Sequence, residues 1–179
     1  MQDLWAAKRE SALKGVEPLA VRMRPRTFEA FAGQAHIVGS AGDGTPTLLR
    51  RMIAAGRRHS HLLHGPPGTG ETPLPQLLPR HPGRATVLIL DEIHRFSRTQ
   101  QDALLEDVER GIVTLIGVTT ENPLFAVNAA LVSRSTLFRL EQLKAEDVAD
   151  VVRRAITDEA RGFGKLNLRV DDDAVAPPP

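Results

Sequence analysis

Short, uninterrupted apolar runs alternate along this chain with segments in which apolar residues recur every three or four positions. Four of the runs predict β-strands, at residues 62–64, 87–90, 113–118 and 137–140. The run Val87-Leu88-Ile89-Leu90 lacks polar alternation, which is typical of a strand buried on both faces of a parallel sheet. A parallel sheet is therefore the expected centre of the fold.

The segments with three- and four-residue spacing predict amphipathic helices. The first is predicted to have its cap at Thr45 and Pro46 in its first turn, and to close at Gly56. Ser97 is predicted to cap a second helix, which stops before Gly111. Two more helices are predicted at residues 124–133 and 145–161, the latter with one apolar side of Val148, Val151, Val152, Ala155 and Ile156. Strands that alternate with helices predict a three-layer α/β domain.

Length and composition restrict the class of protein. With 179 residues, 41% of them hydrophobic and 25% charged, the chain suits one globular domain or one domain plus a fragment. Because it contains no cysteine, disulfides and thiolate metal sites are excluded. Its first residues lack the layout of a signal peptide, and its apolar runs are too short to cross a bilayer. We therefore expect a cytoplasmic protein without membrane association.

Charge is distributed unevenly along the chain. Residues 1–84 hold 12 Lys and Arg against 6 Asp and Glu, whereas residues 85–179 hold 11 against 16. A basic N-terminal half could face nucleic acid or nucleotide phosphates, and a solvated surface explains the same charges equally well.

A glycine-rich stretch directly follows the first predicted strand. It matches the phosphate-binding pattern Gly-x-x-x-x-Gly-Lys-Ser/Thr except at the lysine, and it reads Gly65-Pro66-Pro67-Gly68-Thr69-Gly70-Glu71-Thr72. Glycines let successive N–H groups surround an anion, and the next helix N-terminus adds partial positive charge. The hydroxyl at the position of Thr72 serves Mg²⁺ in this motif. The stretch predicts a site for ATP and Mg²⁺.

Glu71 and Pro73 oppose this use of the loop. Glu71 places an anion where the motif has a cation, and Pro73 has no N–H to offer a phosphate in the first helical turn. Only 14 residues separate Thr72 from Val87, enough for one crossover and too few for a helix, a further strand and a second helix. We therefore expect impaired hydrolysis and a trimmed, four-stranded sheet with an exposed edge.

Two adjacent carboxylates follow the second predicted strand. Asp91 and Glu92 come 26 and 27 residues after Gly65, at the carboxyl edge of the sheet where ligands bind in open α/β folds. Asp91 is predicted to help hold Mg²⁺, and Glu92 to act as general base on the attacking water.

Further candidate residues have competing structural explanations. Thr120 or Asn122 could position water against a γ-phosphate, or could belong to an ordinary turn before Pro123. Arg134 could complete the site of a neighbouring subunit, or could be a surface arginine at a helix end. His94 lacks a second histidine at ligand spacing, so a core or partner-contacting histidine is favoured over a metal ligand.

Several strings together resemble the replication-associated recombination protein A family of AAA+ ATPases. The resemblance covers roughly residues 16–165, and Asp91-Glu92-Ile93-His94-Arg95-Phe96 and Thr119-Thr120-Glu121-Asn122-Pro123 are its most specific parts. It also includes residues 18–27, Phe31-Ala32-Gly33-Gln34, residues 100–105 and residues 114–118.

The resemblance implies an AAA+ core with a helical lid and DNA-stimulated ATP hydrolysis at stalled replication forks. It implies that Asp91 and Glu92 are the metal-supporting and catalytic carboxylates, that Thr120 with Asn122 forms a sensor, and that Arg134 acts in trans. The connector at residues 24–34, with Ile37 and Val38, would border the adenine. Implied partners are other copies of the chain or other AAA+ subunits, DNA forks or ends, and single-strand-binding protein.

Three regions are expected: a lead-in at 1–20, a truncated AAA+ core at 21–143, and a partial lid with a frayed tail at 144–179. The alternative to an impaired DNA-repair ATPase is a nucleotide-dead partner of active subunits, or a fragment without function.

Overall fold

The computed structural model describes residues 17–39, 46–55, 59–69, 73–78, 86–166, 168–171 and 175. Predictions for Thr45, Gly56, most of the lead-in, most of the tail and the loop positions Gly70, Glu71 and Thr72 lie outside these residues. The chain divides into two compact units, one of residues 25–144 and one of residues 1–24 together with 145–179.

The described part of the larger unit contains a parallel four-stranded sheet. Its strands are β1 (Ser60–His64), β2 (Thr86–Leu90), β3 (Val113–Thr119) and β4 (Ser135–Arg139). They lie in the order β2-β3-β1-β4. His64 at the end of β1 pairs with Thr119 and with Arg139, so these three strands end at one carboxyl edge. The predicted parallel sheet is confirmed, with the fourth strand beginning two residues earlier than expected.

Helices precede, separate and follow the strands along the chain. They are α1 (Leu19–Arg22), α2 (Ala35–Val38), α3 (Leu48–Ala54), α4 (Leu74–Leu77), α5 (Arg98–Glu109), α6 (Pro123–Ala126), α7 (Ala129–Ser133) and α8 (Ala145–Thr157), with 3₁₀ turns at Ile93–Arg95 and Gly164–Leu166. None of the helices in the described residues is long and apolar enough to cross a membrane.

Alternating side chains of the strands form two cores, one on each face of the sheet. Leu62 and Leu115 pack with Ile93 and Leu131 on one face. Leu63, Ile116 and nine other buried residues pack on the opposite face. This alternation is the three-layer arrangement that the strand and helix pattern predicts.

Strand β2 is less buried than its apolar sequence predicts. Thr86 is exposed and Ile89 keeps 38% of its surface accessible. The reason is its position, because β2 pairs with β3 alone and forms the edge of the described sheet. The expectation of burial on both faces is wrong.

Helix boundaries differ from the predictions in two other places. The cap of α3 is Thr47, whose hydroxyl accepts from the N–H of Arg50, so Pro46 precedes the helix and is not in its first turn. The single helix expected at 124–133 is two short helices, because Asn128 caps α7 by accepting from Ala130. Ser97 caps α5 as predicted, within a capping box completed by Gln100.

The smaller unit includes α8, which ends at Thr157 and not at 161. Asp158 stops it by accepting from the N–H groups of Ala160 and Arg161 through one carboxylate oxygen. Those bonds, chiefly the one from Arg161, lower the pKa of Asp158. Of the predicted apolar side of α8, Val151 remains 37% exposed and the other four residues are half-buried, whereas the buried residue of the helix, Ala149, was not predicted.

Candidate functional site

The described part of the glycine-rich loop begins where β1 ends. A Cβ on Gly65 would lie 2.6 Å from the carbonyl oxygen of Leu140, so no side chain fits there. Gly68 has a φ of +83°, the left-handed region that favours glycine. Pro66 and Pro67 are exposed, whereas Thr69 is only 1% exposed. Gly65 and Gly68 therefore both occupy positions that favour glycine, the first through close packing and the second through its backbone angle.

Gln34 supports this loop from beneath. Its side-chain N–H₂ donates to the carbonyl oxygens of Thr69, at 3.1 Å, and Glu141, at 2.5 Å. Its side-chain oxygen accepts from the N–H of Glu141 at 2.9 Å. The resemblance placed Gln34 in a connector near the adenine, and nothing in the sequence indicated a contact with residues 35 and 107 positions away.

Asp91 and Glu92 follow β2 toward the same edge. Asp91 is exposed, and its Oδ1 accepts from the N–H of Glu92 at 3.1 Å. Glu92 has a φ of +52°, and among the described residues it shares a positive φ only with Gln34 outside glycine. Such a conformation costs about 1–3 kcal/mol and persists where surrounding contacts hold it.

Those contacts come from a polar cluster that we call the Glu92 cluster: Glu92, His94, Thr119, Thr120 and Glu121. The Nδ1 atom of His94 lies 2.8 Å from the Thr119 hydroxyl and 3.2 Å from Oε2 of Glu92. The Thr120 hydroxyl donates to Oε2 of Glu92 at 3.5 Å. On the far side of the ring, Nε2 of His94 lies 3.8 Å from Glu121.

The structure therefore brings Glu92 and Thr120 together and adds His94, for which the sequence offered no specific contact. Asn122 is placed differently: its side-chain oxygen caps α6 by accepting from the N–H of Leu124 at 3.0 Å. Pro123 occupies the first turn of that helix, which is the turn pairing weighed against a sensor role.

Arg134 lies at the opposite edge of the sheet from the loop. It immediately precedes Ser135, which pairs with Ser60 at the start of β1. The four-residue advance from Ser60 to His64 spans about 13 Å, which separates Arg134 from the loop that follows β1. Its guanidinium pairs with Glu109 at 2.6 Å, beside a cavity lined by His59 and Thr114.

Ile37 and Val38 are 2% and 1% exposed and belong to the larger core. Their helix, α2, follows directly after Gln34, which acts as its N-cap residue. Nearby, His36 meets the carbonyl oxygen of Arg139 through Nε2 at 2.9 Å. The two residues predicted to border the adenine are thus fixed close in sequence to the residue that holds the loop.

Two histidines of β1 have depressed pKa values. Burial, with a smaller repulsion from His59, lowers the pKa of His61 to about 4. Burial followed by repulsion from Arg139 lowers the pKa of His64. At the end of β1, the lowered pKa of His64 favours its neutral form and leaves Arg139, its partner on β4, as the adjacent positive charge.

Asp91 is a candidate ligand for Mg²⁺ among the described residues. Among the described residues no group of three or more His, Cys, Asp and Glu side chains could hold a metal ion. Mg²⁺ that accompanies a nucleotide needs only one or two protein ligands, since phosphates and waters supply the rest. An exposed carboxylate at Asp91, at the sheet edge where β1 also ends, fits that requirement.

Comparison with known proteins agrees with this geometry. No protein-family model matches the chain. Replication-associated recombination protein A of Coxiella burnetii is 39% identical over 87% of the chain and 40% of its own length. The protein of the same name from Escherichia coli is 37% identical over 88% of the chain and 41% of its own length. The chain therefore spans about two fifths of the length of these curated relatives.

Among solved structures, the RuvB Holliday junction branch migration motor of Thermotoga maritima superposes with a TM-score of 0.63. The alignment covers 86% of the chain and 58% of RuvB at 21% identity. At that identity the likeness concerns the fold alone, an α/β core with a parallel sheet.

Proposed function

We propose that this chain, which belongs to the replication-associated recombination protein A family of AAA+ ATPases, is a nucleotide-binding module of DNA replication and recombination repair whose own ATP hydrolysis is impaired. The observation that carries the proposal is the Glu92 cluster beside the loop that starts at Gly65. A carboxylate held by His94 and Thr120 at the carboxyl edge of a parallel sheet is what a hydrolytic nucleotide site requires.

Each predicted residue has a role in this proposal. The loop from Gly65 to Thr72 receives the phosphates of ATP, with Ile37 and Val38 near the base. Asp91 and Thr72 would hold Mg²⁺, which would neutralise phosphate charge when bound. Glu92 orients and deprotonates water, and Thr120 and Asn122 report on the terminal phosphate. The core of the module is residues 21–143, between a lead-in at 1–20 and a partial lid at 144–179.

Glu71 is one of two reasons for the impaired hydrolysis, and Pro73, which has no N–H to donate to a phosphate, is the other. A unit-charge pair at 4 Å is worth about 4 kcal/mol at an effective dielectric constant of 20. Replacing an attraction by a repulsion of that size lowers affinity or rate by orders of magnitude. The defect is thus confined to the phosphate loop and to Pro73 directly after it, since the Glu92 cluster and Arg134 are retained.

The proposed partners follow from charge and from the place of Arg134. Because Arg134 lies at the opposite sheet edge from its own loop, it suits the nucleotide site of a neighbouring copy or of another AAA+ subunit. The basic residues of the N-terminal half suit DNA forks or ends. Single-strand-binding protein and a cytoplasmic location complete the proposal by family likeness.

Thermal unfolding of the purified chain with Mg²⁺ alone and with Mg-ATP tests the proposal. Ligand at a hundredfold excess over Kd adds about 2.7 kcal/mol, or roughly 5–10 °C for a chain of this size. We expect a cooperative transition that Mg-ATP shifts upward, and a larger shift at the same ATP concentration in Glu71→Lys.

A cooperative transition that ignores Mg-ATP in both proteins would overturn nucleotide binding. It would favour a nucleotide-dead partner, which is then recognised by its effect on the ATPase rate of a full-length relative. Loss of any cooperative transition would favour a fragment without function.

A further inference from the structure

The carbonyl oxygens of Thr69 and Glu141 share one donor group, the side-chain N–H₂ of Gln34. Gln34 is 5% exposed, and its side-chain oxygen is also used, by the N–H of Glu141. One buried side chain thus joins three segments that are distant in sequence: the connector before α2, the glycine-rich loop and the chain that leaves β4.

The backbone conformation at position 34 does not favour glutamine, so the contacts of the side chain explain why glutamine occupies it. Its φ of +56° is left-handed, a conformation in which asparagine and glycine are favoured over glutamine. Gly33 before it is also left-handed, at +64°. A shorter residue would suit this backbone better, but it would not reach both Thr69 and Glu141.

The bond to Thr69 determines how the loop faces an anion. A carbonyl oxygen that points into a phosphate site would repel the phosphate. Because the Thr69 oxygen accepts from a buried group beneath the loop, it is turned toward the protein interior. The loop can then present N–H groups on its open side.

The bonds to Glu141 give the loop a second support from the same place. Leu140, the residue before Glu141, backs Gly65 so closely that a Cβ would collide with it, and its N–H donates to His64 at 2.7 Å. Gly65, at the start of the loop, therefore packs against Leu140, and Thr69 is linked to Glu141 through hydrogen bonds of Gln34.

We propose that Gln34 is a positioning residue that holds the glycine-rich loop in its anion-receiving shape and makes it move together with the segment Leu140–Glu141. Its use in nucleotide binding rests on the proposed function, whereas the mechanical link does not. The Gln34 side chain thus restrains both the backbone at Thr69 and the backbone at Glu141, just after β4.

Amide hydrogen exchange, measured by NMR on the full chain without nucleotide, tests the link. The probes are the amides of Gly65, Gly68, Thr69 and Leu140. In Gln34→Asn, which suits the left-handed backbone but is too short for the contacts, we expect exchange at these amides to rise about tenfold, as for the loss of one or two net hydrogen bonds. Gln34→Glu, which keeps the length and loses the donor, is expected to act in the same direction.

Gln101 offers a matched control, since it is 2% exposed and also donates to carbonyl oxygens, those of Phe96 and Ile93. Gln101→Asn is expected to leave the four loop probes at their original rates. Unchanged loop exchange in Gln34→Asn, or an equal rise in Gln101→Asn, would overturn the proposal. If Gln34→Asn loosens the loop while Mg-ATP never shifts the melt of the parent chain, the link stands and nucleotide binding fails.

Discussion

Glu92 and His94 are joined by a contact of 3.2 Å between Oε2 and Nδ1. The same Nδ1 atom forms a hydrogen bond with the Thr119 hydroxyl at 2.8 Å. This pairing holds the side chain of a residue whose backbone is left-handed. His94 therefore contacts both the Glu92 carboxylate and the Thr119 hydroxyl, which gives it an organising position in the Glu92 cluster.

Replacing His94 by asparagine should destabilise the chain. We expect a loss of about 1–2 kcal/mol in the free energy of unfolding, because the hydrogen bond to the Thr119 hydroxyl and the contact with the Glu92 carboxylate are both removed from a half-buried place. Urea titration followed by circular dichroism measures it. His36→Asn is the comparison, since His36 is exposed and makes one bond to a carbonyl oxygen, and it should cost less than half as much. Equal losses in both variants would contradict an organising role.

Stability should fall in mild acid because of His61. Its pKa is about 4 in the folded chain and 6.5 ordinarily, so the unfolded state binds more protons between these values. The free energy of unfolding is therefore unaffected by this group above pH 6.5 and decreases as the pH falls toward 4. The total decrease is about 3 kcal/mol. Urea titrations at several pH values between 7.5 and 4.5 measure the slope.

His61→Leu separates this histidine from the other titrating groups. The Nδ1 atom of His61 is buried without a hydrogen-bond partner, and its ring lies 5.7 Å from that of Phe138. Leucine should therefore keep or raise stability at pH 7. It should also remove most of the dependence of the free energy of unfolding on pH, and the smaller remaining part is due to His64. A slope that survives unchanged in His61→Leu would show that other groups cause it.

Local patterns predicted the strands of the sheet well, because four apolar runs need no distant information to be recognised. The cap at Ser97 was predictable for the same reason, since the Ser97 hydroxyl and its partner Gln100 lie within one helical turn. Burial of β2 was not predictable from its residues, because it depends on whether a strand lies beyond it. The break at Asn128 depends on Gln101, whose side-chain oxygen accepts from its N–H across 27 positions.

In the candidate site, too, residues of local motifs were predicted from sequence, whereas residues that act through distant contacts were not. The glycines and the carboxylates of Asp91 and Glu92 were identified from spacing, since motifs are local. Gln34 and His94 act through partners 25 or more positions away, at Thr69, Glu141 and Thr119, and no periodicity reports such contacts. Arg134 could be named from sequence, but only the register of β4 on β1 places it away from its own loop.

The two described glycines of the loop should respond differently to alanine. Gly65→Ala places a Cβ 2.6 Å from backbone oxygen and 2.7 Å from the Cβ of Leu140, so we expect destabilisation by about 2–3 kcal/mol through overpacking. Gly68→Ala meets nothing within 4 Å and should lose only about 1 kcal/mol through its left-handed backbone. Thermal unfolding of both variants measures the difference, and equal losses would contradict close packing of Gly65 on Leu140.

Restoring a lysine at position 71 should improve nucleotide affinity without restoring full turnover. Glu71→Gln removes a repulsion and Glu71→Lys also adds an attraction, so affinity for a fluorescent ATP analogue should rise in that order. Turnover stays low because Pro73, at the start of α4, has no N–H to donate to a phosphate. Glu71→Lys with Pro73→Ala should bind more tightly than Glu71→Lys alone. Turnover in Glu71→Lys alone that equals that of a full-length relative would show that position 71 is the sole defect, and that the proline does not matter.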